Sequence, residues 1–193
     1  MEATEANELT EINEHGHQKK NRTALTISIL AMVLAISNLG GSNAMKESTQ
    51  ENILAANAYS FYQAKTIRQT ALKIAVSDIE LQLAREPNMP AAVKELHEKK
   101  IADYKKTIDR YESEPETNDG KKELMARAKA HEHERDHAMR QDPWFDYAEG
   151  MLQIAIVLLS VSIIGGIPIF YWVGSSLGAL GTFCMLNGYF LFY

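Results

Sequence analysis

The chain has 193 residues, with 20 Lys and Arg against 25 Asp and Glu, a net charge of −5, and a single cysteine. Proteins that bind nucleic acids usually carry an excess of basic residues, whereas the net charge here is slightly acidic, so we expect no nucleic-acid partner. One cysteine permits no disulfide within a chain, and the length leaves room for at most one small aqueous domain.

The N-terminal region divides into a polar tail and an apolar stretch. Residues 1–22 carry Glu at every third position from Glu2 to Glu14, which predicts an acidic, mobile tail, with a short interfacial helix as the alternative. Residues 23–43 are long and apolar enough for transmembrane helix 1, since about 20 apolar residues cross a bilayer. The length of this run and the tail before it favour an uncleaved anchor over a signal peptide. Gly40 and Gly41 predict a break where the stretch ends.

Residues 44–143 form a charged insert that reads as helical and coiled-coil-like. Between Lys46 and Asp142 lie 17 of the 20 basic and 18 of the 25 acidic residues. Apolar residues spaced by three and four predict helices over about 46–85, 90–112 and 121–141. Proline at 87 and 90, and the turn composition of 113–120, predict the breaks between them. The first two helices are expected to form an antiparallel hairpin.

Residues 144–193 are predicted as transmembrane helices 2 and 3, a hairpin with its turn near 165–168. Asp142 and Pro143 have the residue types of an N-cap and a first helical turn, so we expect helix 2 to begin there. Aromatic residues cluster near the ends of both segments, as at membrane interfaces. The fold class is therefore all-α: three transmembrane helices with a helical-hairpin aqueous insert between the first and second.

The distribution of positive charge predicts the orientation. Lys19, Lys20 and Arg22 directly precede the first apolar stretch, which favours a cytoplasmic N-terminus and an insert on the opposite, periplasmic side. Arg127 and Arg140, on the insert side of helix 2, argue for the reverse, but long loops weigh little in this rule.

The sharpest motif is an H-E-x-x-H pattern at residues 133–137. Two histidines at i and i+4, His133 and His137, share a helix face and can bind zinc, with Glu134 as a general base. The segment is also dense in Glu and His, so a solvated helix face is the competing interpretation. The expected cofactor is accordingly none, with zinc at His133 and His137 as the alternative.

Two further groups lie in the apolar C-terminal region. Asp146 and Glu149 occupy one face at the start of helix 2, where a wet interface and the helix dipole accommodate carboxylates. The alternatives are an ion or proton site and a pairing with Lys or Arg of another subunit. Glycines share one face of helix 3 and allow close helix packing, either within the chain or between chains. They are Gly174, Gly178, Gly181 and Gly188.

Two stretches, residues 56–65 and residues 145–158, resemble a bacterial membrane family known only as domain of unknown function 4337. The resemblance extends from the first apolar stretch to the C-terminus, although the family usually carries tryptophan where Tyr59 stands. It implies a bacterial inner-membrane location, three spans and a helical insert, and it implies no activity and no catalytic residues.

These observations leave three hypotheses. The first is a non-enzymatic, multi-pass protein of the lipid bilayer that self-associates as a homo-oligomer, with Tyr59, Phe61 and Tyr62 as packing or partner surfaces. The second is a metal-dependent membrane enzyme that uses His133, Glu134 and His137. The third is an ion or proton path through Asp146 and Glu149.

Overall fold

The fold is all-α, as the sequence predicts. The computed structural model describes the backbone of residues 2–192 and the side chains of residue 18 and of residues 20–192. This part of the chain contains four helices and no strand: α1 (Glu2–Arg85), α2 (Ala91–Glu112), α3 (Lys121–Gly165) and α4 (Pro168–Phe190). The breaks between helices fall at the proline-rich segment after Arg85, at the turn-rich segment after Glu112 and at residues 166–167.

Two expected helix boundaries are wrong, and the predicted tail has a helical backbone. Residues 2–22, predicted as an acidic tail with a short interfacial helix as the alternative, belong to α1; Glu and Ala are good helix formers. Gly40 and Gly41 do not break α1. Pro143 lies inside α3 rather than at a helix start, so a single helix connects the charged segment to the apolar one.

The glycine prediction fails because the two glycines serve close packing rather than flexibility. A Cβ at Gly40 would lie 2.5 Å from Cε1 of Phe145 and 2.8 Å from the Tyr189 hydroxyl. Each helical glycine costs about 1 kcal/mol relative to alanine, and contact with a buried aromatic ring offsets that cost.

The chain folds as two compact units. We call Met1–Ser48 together with Asp136–Tyr193 the terminal unit, and Thr49–Arg135 the middle unit. The terminal unit has an apolar core centred on side chains of α3 that are almost completely inaccessible. These are Phe145, Ala148, Leu152, Ala155 and Leu159, with Leu30 of α1 and Met185 of α4 packed against them.

The middle unit is built on a regular stripe of α1. From Ala55 to Leu83, every fully buried residue of α1 lies on a stripe that recurs at alternating intervals of three and four, with Tyr62, Leu72 and Leu83 as its half-buried members. That average of 3.5 residues is the period of helices that wind around each other. Hydrogen bonds join Gln69 to Ile108, Glu80 to Lys105 and Gln82 to His97. Residues later in α1 therefore contact residues earlier in α2.

Three helices in the described part of the chain are long and apolar enough to cross a membrane, judged by length and composition. They are α1 from Lys20 onward, α3 and α4. Their apolar windows are largely exposed within the chain, with 17%, 22% and 28% of their residues buried. Apolar helices with most of their surface uncovered by protein are what a bilayer accommodates.

Candidate functional site

The most densely connected group of polar side chains lies inside the middle unit, where α1 meets the end of α2 and the start of α3. Gln69 is only 4% exposed. Its amide nitrogen donates to the carbonyl oxygen of Ile108 at 3.1 Å and to Oε2 of Glu112 at 3.0 Å. Lys121 Nζ donates to Oε1 of Gln69 at 3.0 Å and to the same Glu112 oxygen at 3.1 Å. One glutamine thus connects three helices.

A second buried lysine completes this group. The Lys65 side chain is 10% exposed, and its Nζ donates to Oδ2 of Asp119 at 2.7 Å. The Lys65 and Lys121 ammonium groups also lie 5.5 Å from the ring centroids of Tyr111 and Tyr62, respectively. Cations over aromatic faces gain about 0.5–2 kcal/mol, more when desolvated. We call Lys65, Gln69, Glu112, Asp119 and Lys121 the locking network.

The charges of the locking network balance each other. Each lysine faces one carboxylate, which is how buried cations are accommodated without a large desolvation penalty. Hydrogen bonds from Gln69 and Lys121 lower the pKa of Glu112, which keeps that group ionised. The network therefore pairs each buried lysine with a carboxylate that is about half exposed, Asp119 at 56% and Glu112 at 47%.

The loop between α2 and α3 is held in place by Glu123. Its carboxylate accepts a hydrogen bond from the Ser113 hydroxyl at 2.6 Å and another from the backbone N–H of Glu114 at 3.2 Å. The hydrogen bond from Ser113 is the main cause of the lowered pKa of Glu123. Gly120 is buried, and a Cβ there would collide with the Glu123 carboxylate and the Glu114 backbone. This close packing fixes the backbone beside Asp119 and Lys121.

Two further polar contacts join α1 and α3 in the middle unit. His131 Nδ1 lies 2.6 Å from Oε2 of Glu51, and both side chains are at least three-quarters buried. The Tyr59 hydroxyl donates to Oε2 of Glu132 at 3.0 Å, which raises the pKa of the phenol. Tyr59 therefore packs within the chain, and so does Tyr62 beneath Lys121. Phe61, the third aromatic residue of this predicted surface, is 62% exposed.

The H-E-x-x-H segment lies on the surface of α3. The His133 side chain is 75% exposed, with Nδ1 3.7 Å from Oε1 of the adjacent Glu134, and His137 is also exposed. Among the residues that the structure describes, no three His, Cys, Asp or Glu side chains are grouped so that they could hold a metal ion. The helix does present both histidines, as the motif requires, but with no third ligand grouped beside them in that part of the chain.

The predicted carboxylates of α3 line an open cleft in the terminal unit. The cleft has a volume of about 210 Å³. Asp142, Asp146 and Glu149 face Ser37, Asn38, Gly41, Ser42 and Met45 of α1 across it. Glu149 also accepts a hydrogen bond from the Gln153 amide at 2.8 Å. Asp142 was not among the predicted site residues, although it lies one helical turn before Asp146 on the same helix.

The four glycines of α4 are buried against side chains of the same chain. A Cβ at Gly174 would lie 3.1 Å from the carbonyl oxygen of Ala155, and one at Gly181 would lie 2.9 Å from Cγ of Leu152. Gly178 faces Leu30 and Gly188 faces Phe145 in the same manner. Of the two uses considered for this face, packing within the chain is therefore the one observed.

The sequence did not single out the locking network, although a usable signal was present. Leu72, Val76, Ile79 and Leu83 establish an inward-facing spacing of four and three. Extending that spacing backward arrives at Gln69 and Lys65. Residue type alone places both on the surface, because polar residues usually face water.

A comparison with protein-family models finds one described as "Domain of unknown function (DUF4337)", which matches residues 19–191. No curated protein and no solved structure matches the chain.

Proposed function

The chain belongs to the DUF4337 family, described only as a domain of unknown function, and from that premise we propose that it is a non-enzymatic membrane scaffold that self-associates. In this proposal, apolar segments of α1, α3 and α4 cross the bilayer. The middle unit is a coiled-coil-like helical insert in the aqueous phase, with α2 returning along α1 as a hairpin.

The observation that carries the proposal is the locking network. The two ion pairs contribute little net stability, because their carboxylates are about half exposed and the lysines lose hydration on burial. Buried polar groups are best known for fixing the register and partner choice of packed helices. Gln69 makes its hydrogen bonds in only one alignment of the three helices. Such a unit holds a defined shape, which suits a scaffold.

Self-association is supported by the apolar surface that the middle unit leaves uncovered. Phe61 is 62% exposed and Ile67 is 70% exposed. Large apolar side chains exposed on a charged unit favour contact with another protein surface. The glycine face of α4 is not available for this purpose, because it is used within the chain.

Native mass measurement and amine-reactive crosslinking of the full-length protein in its own membranes test the scaffold proposal. We expect discrete multimers of the 21.6 kDa chain at low crosslinker concentration. A protein that remains monomeric by both methods would contradict self-association.

The proposed location is the bacterial inner membrane, with the N-terminus in the cytoplasm and the middle unit in the periplasm. Thr117 offers a test because it lies in the exposed turn between α2 and α3, whereas Gly120 is too tightly packed to modify. In a Cys184→Ser background, Thr117→Cys should react with a membrane-impermeant maleimide in intact cells. Labelling only after cell lysis would place the middle unit in the cytoplasm and contradict the proposed orientation.

The cleft of the terminal unit favours a second candidate function, an ion or proton path. Asp142, Asp146 and Glu149 face hydroxyl and amide groups of α1, and these oxygen-rich surroundings suit a cation or a relayed proton. Asp146→Asn and Glu149→Gln should then reduce cation or proton flux in proteoliposomes, with Asp136→Asn as the control, since Asp136 is exposed on the same helix and does not line the cleft. Equal flux in all variants and in empty vesicles would remove this candidate.

A further inference from the structure

The part of α1 in the middle unit carries a second apolar stripe on its outer surface, opposite the stripe that packs inside. We call it the outer stripe. It consists of nine residues at alternating intervals of four and three. They are Ile53, Asn57, Ser60, Ala64, Ile67, Ala71, Ile74, Asp78 and Leu81. Ile67 is 70% exposed, Ile74 is 58% and Ile53 is 55%. The spacing of four and three gives a period of 3.5, the same as that of the inner stripe.

The outer stripe does not have the composition of a surface that faces water. Of its nine positions only Asp78 is charged, and alanine occupies positions 64 and 71. In α2 of the same unit, by contrast, 11 of 22 residues are charged. Water-facing helix surfaces carry charged residues, whereas depletion of charge marks the centre of an interface.

We propose that the outer stripe is a coiled-coil seam which binds the outer stripe of a second copy of this chain, parallel and in register. The inference rests on the self-association proposed above and names the surface that performs it. A long, narrow stripe with a period of 3.5 is complementary to another helix with the same period. Each copy supplies one, and copies anchored in the same membrane face the same way.

Of the polar positions of the stripe, Asn57 agrees with a parallel seam and Asp78 weakens one. Asn57 occupies the heptad position at which a single asparagine, facing its counterpart, fixes the register of a coiled coil. Asp78 occupies an equivalent position, where two like charges would face each other. The seam is therefore stabilised by its isoleucines and weakened at Asp78.

The area of this seam fits association between anchored proteins. From Ile53 to Leu81, 28 residues at 1.5 Å each give a seam about 42 Å long. With a contact width of about 10 Å, two copies would bury on the order of 800 Å² in total, below the standard size for a stable complex. Confinement to one bilayer raises the effective concentration of the copies, so a weak seam suffices there.

Disulfide crosslinking of the full-length protein in its own membranes tests the seam. All variants carry Cys184→Ser, which removes the chain's single cysteine. Ile74→Cys places a thiol on the stripe, and Lys73→Cys places one on the adjacent exposed face at the same height. In a parallel, in-register seam the two copies of residue 74 lie within disulfide range. We expect Ile74→Cys to form dimers at least tenfold faster than Lys73→Cys.

A variant that should dimerise faster complements the test, because an unfolded protein could lose crosslinking but would not gain it. Adding Asp78→Asn to Ile74→Cys removes the facing charges, so we expect a further severalfold rise in the rate of dimer formation. Three results would each overturn the seam. They are equal rates of dimer formation for Ile74→Cys and Lys73→Cys, disulfides formed only with other proteins, and an Ile74→Cys thiol that does not react because lipid covers it. If native mass measurement still shows multimers, the scaffold proposal survives that result; if the chain is monomeric, both fail.

Discussion

Replacement of Gln69 by alanine provides the sharpest test of the locking network. The change removes two hydrogen bonds donated by the amide and one accepted from Lys121. Hydrogen bonds that involve charged groups contribute about 1.5–3 kcal/mol each and neutral ones about 0.5–1.5 kcal/mol. Lys121 and Glu112 remain paired at 3.1 Å, which limits the loss. We therefore expect the contact between α1 and α2 to weaken by about 2–4 kcal/mol.

Amide hydrogen exchange of the full-length protein in detergent measures this effect locally. Exchange in residues 105–112 reports the free energy of opening the end of α2. At 1.4 kcal/mol for each factor of ten, the expected loss accelerates exchange there by about 30-fold to nearly 1000-fold. Gln63→Ala is the matched control, since Gln63 lies on the same helix and is exposed. We expect that variant to exchange within about threefold of the wild-type protein.

Gln69→Leu separates the hydrogen bonds from the volume of the side chain. Leucine fills the position but leaves the Ile108 carbonyl and one donor of Lys121 without their partner. Its exchange rate should fall between those of the wild-type protein and Gln69→Ala. Full protection in Gln69→Leu would show that filling the space is sufficient and would refute the argument from hydrogen bonds. Equal exchange in Gln69→Ala and Gln63→Ala would refute it more completely.

The remaining predictions concern pH, packing and metal. Because the pKa of Glu112 is lowered in the folded protein, its contribution to stability is present above the pKa of the unfolded chain, 4.5, and is lost as the pH falls through the folded pKa. Amide exchange in residues 105–112, corrected for intrinsic rates, should therefore rise below about pH 4.5. Glu112→Gln should abolish that rise. In thermal unfolding of the purified protein, Gly181→Ala should destabilise the terminal unit by about 1–3 kcal/mol, because its Cβ would lie 3.3 Å from the Ala148 carbonyl oxygen. Gly150→Ala, whose Cβ has open space, should be neutral or stabilising in that assay. Metal analysis of the purified protein should find well under one zinc per chain, unchanged by His133→Ala with His137→Ala; one zinc per chain that this double variant removes would restore the metal hypothesis.

The sequence predicted elements whose signals are local. The ends of α1 and α2 and the start of α4 follow from prolines and turn residues, which act on their own backbone. Pro143 has the local preference of a first helical turn, but the helix around it overrides that preference. A proline inside a helix costs about 3 kcal/mol, and packing of α3 on both sides, at Ala138 and Phe145, offsets that cost.

The site residues were harder to predict because their roles depend on contacts distant in sequence. Gln69 and Glu112 are 43 residues apart, and Lys65 and Asp119 are 54 apart. Residue type alone places lysine and glutamine outside and isoleucine inside. Only the periodicity of the buried apolar residues shows which face of α1 is which, and it requires the polar residues to be read as inward-facing.

The two stripes of α1 are best explained together. The inner stripe contains Lys65 and Gln69, while the outer stripe contains Ile67 and Ile74. Burial of one isoleucine gains about 1.5–3 kcal/mol, so an isolated unit would be more stable if the two sets exchanged places. This arrangement makes sense if the outer stripe is also covered. The locking network would then set the alignment of helices within one chain, and the isoleucines would join chains. Under that reasoning, disruption of Gln69 should also slow Ile74→Cys crosslinking, because a seam whose supporting helix shifts loses its register.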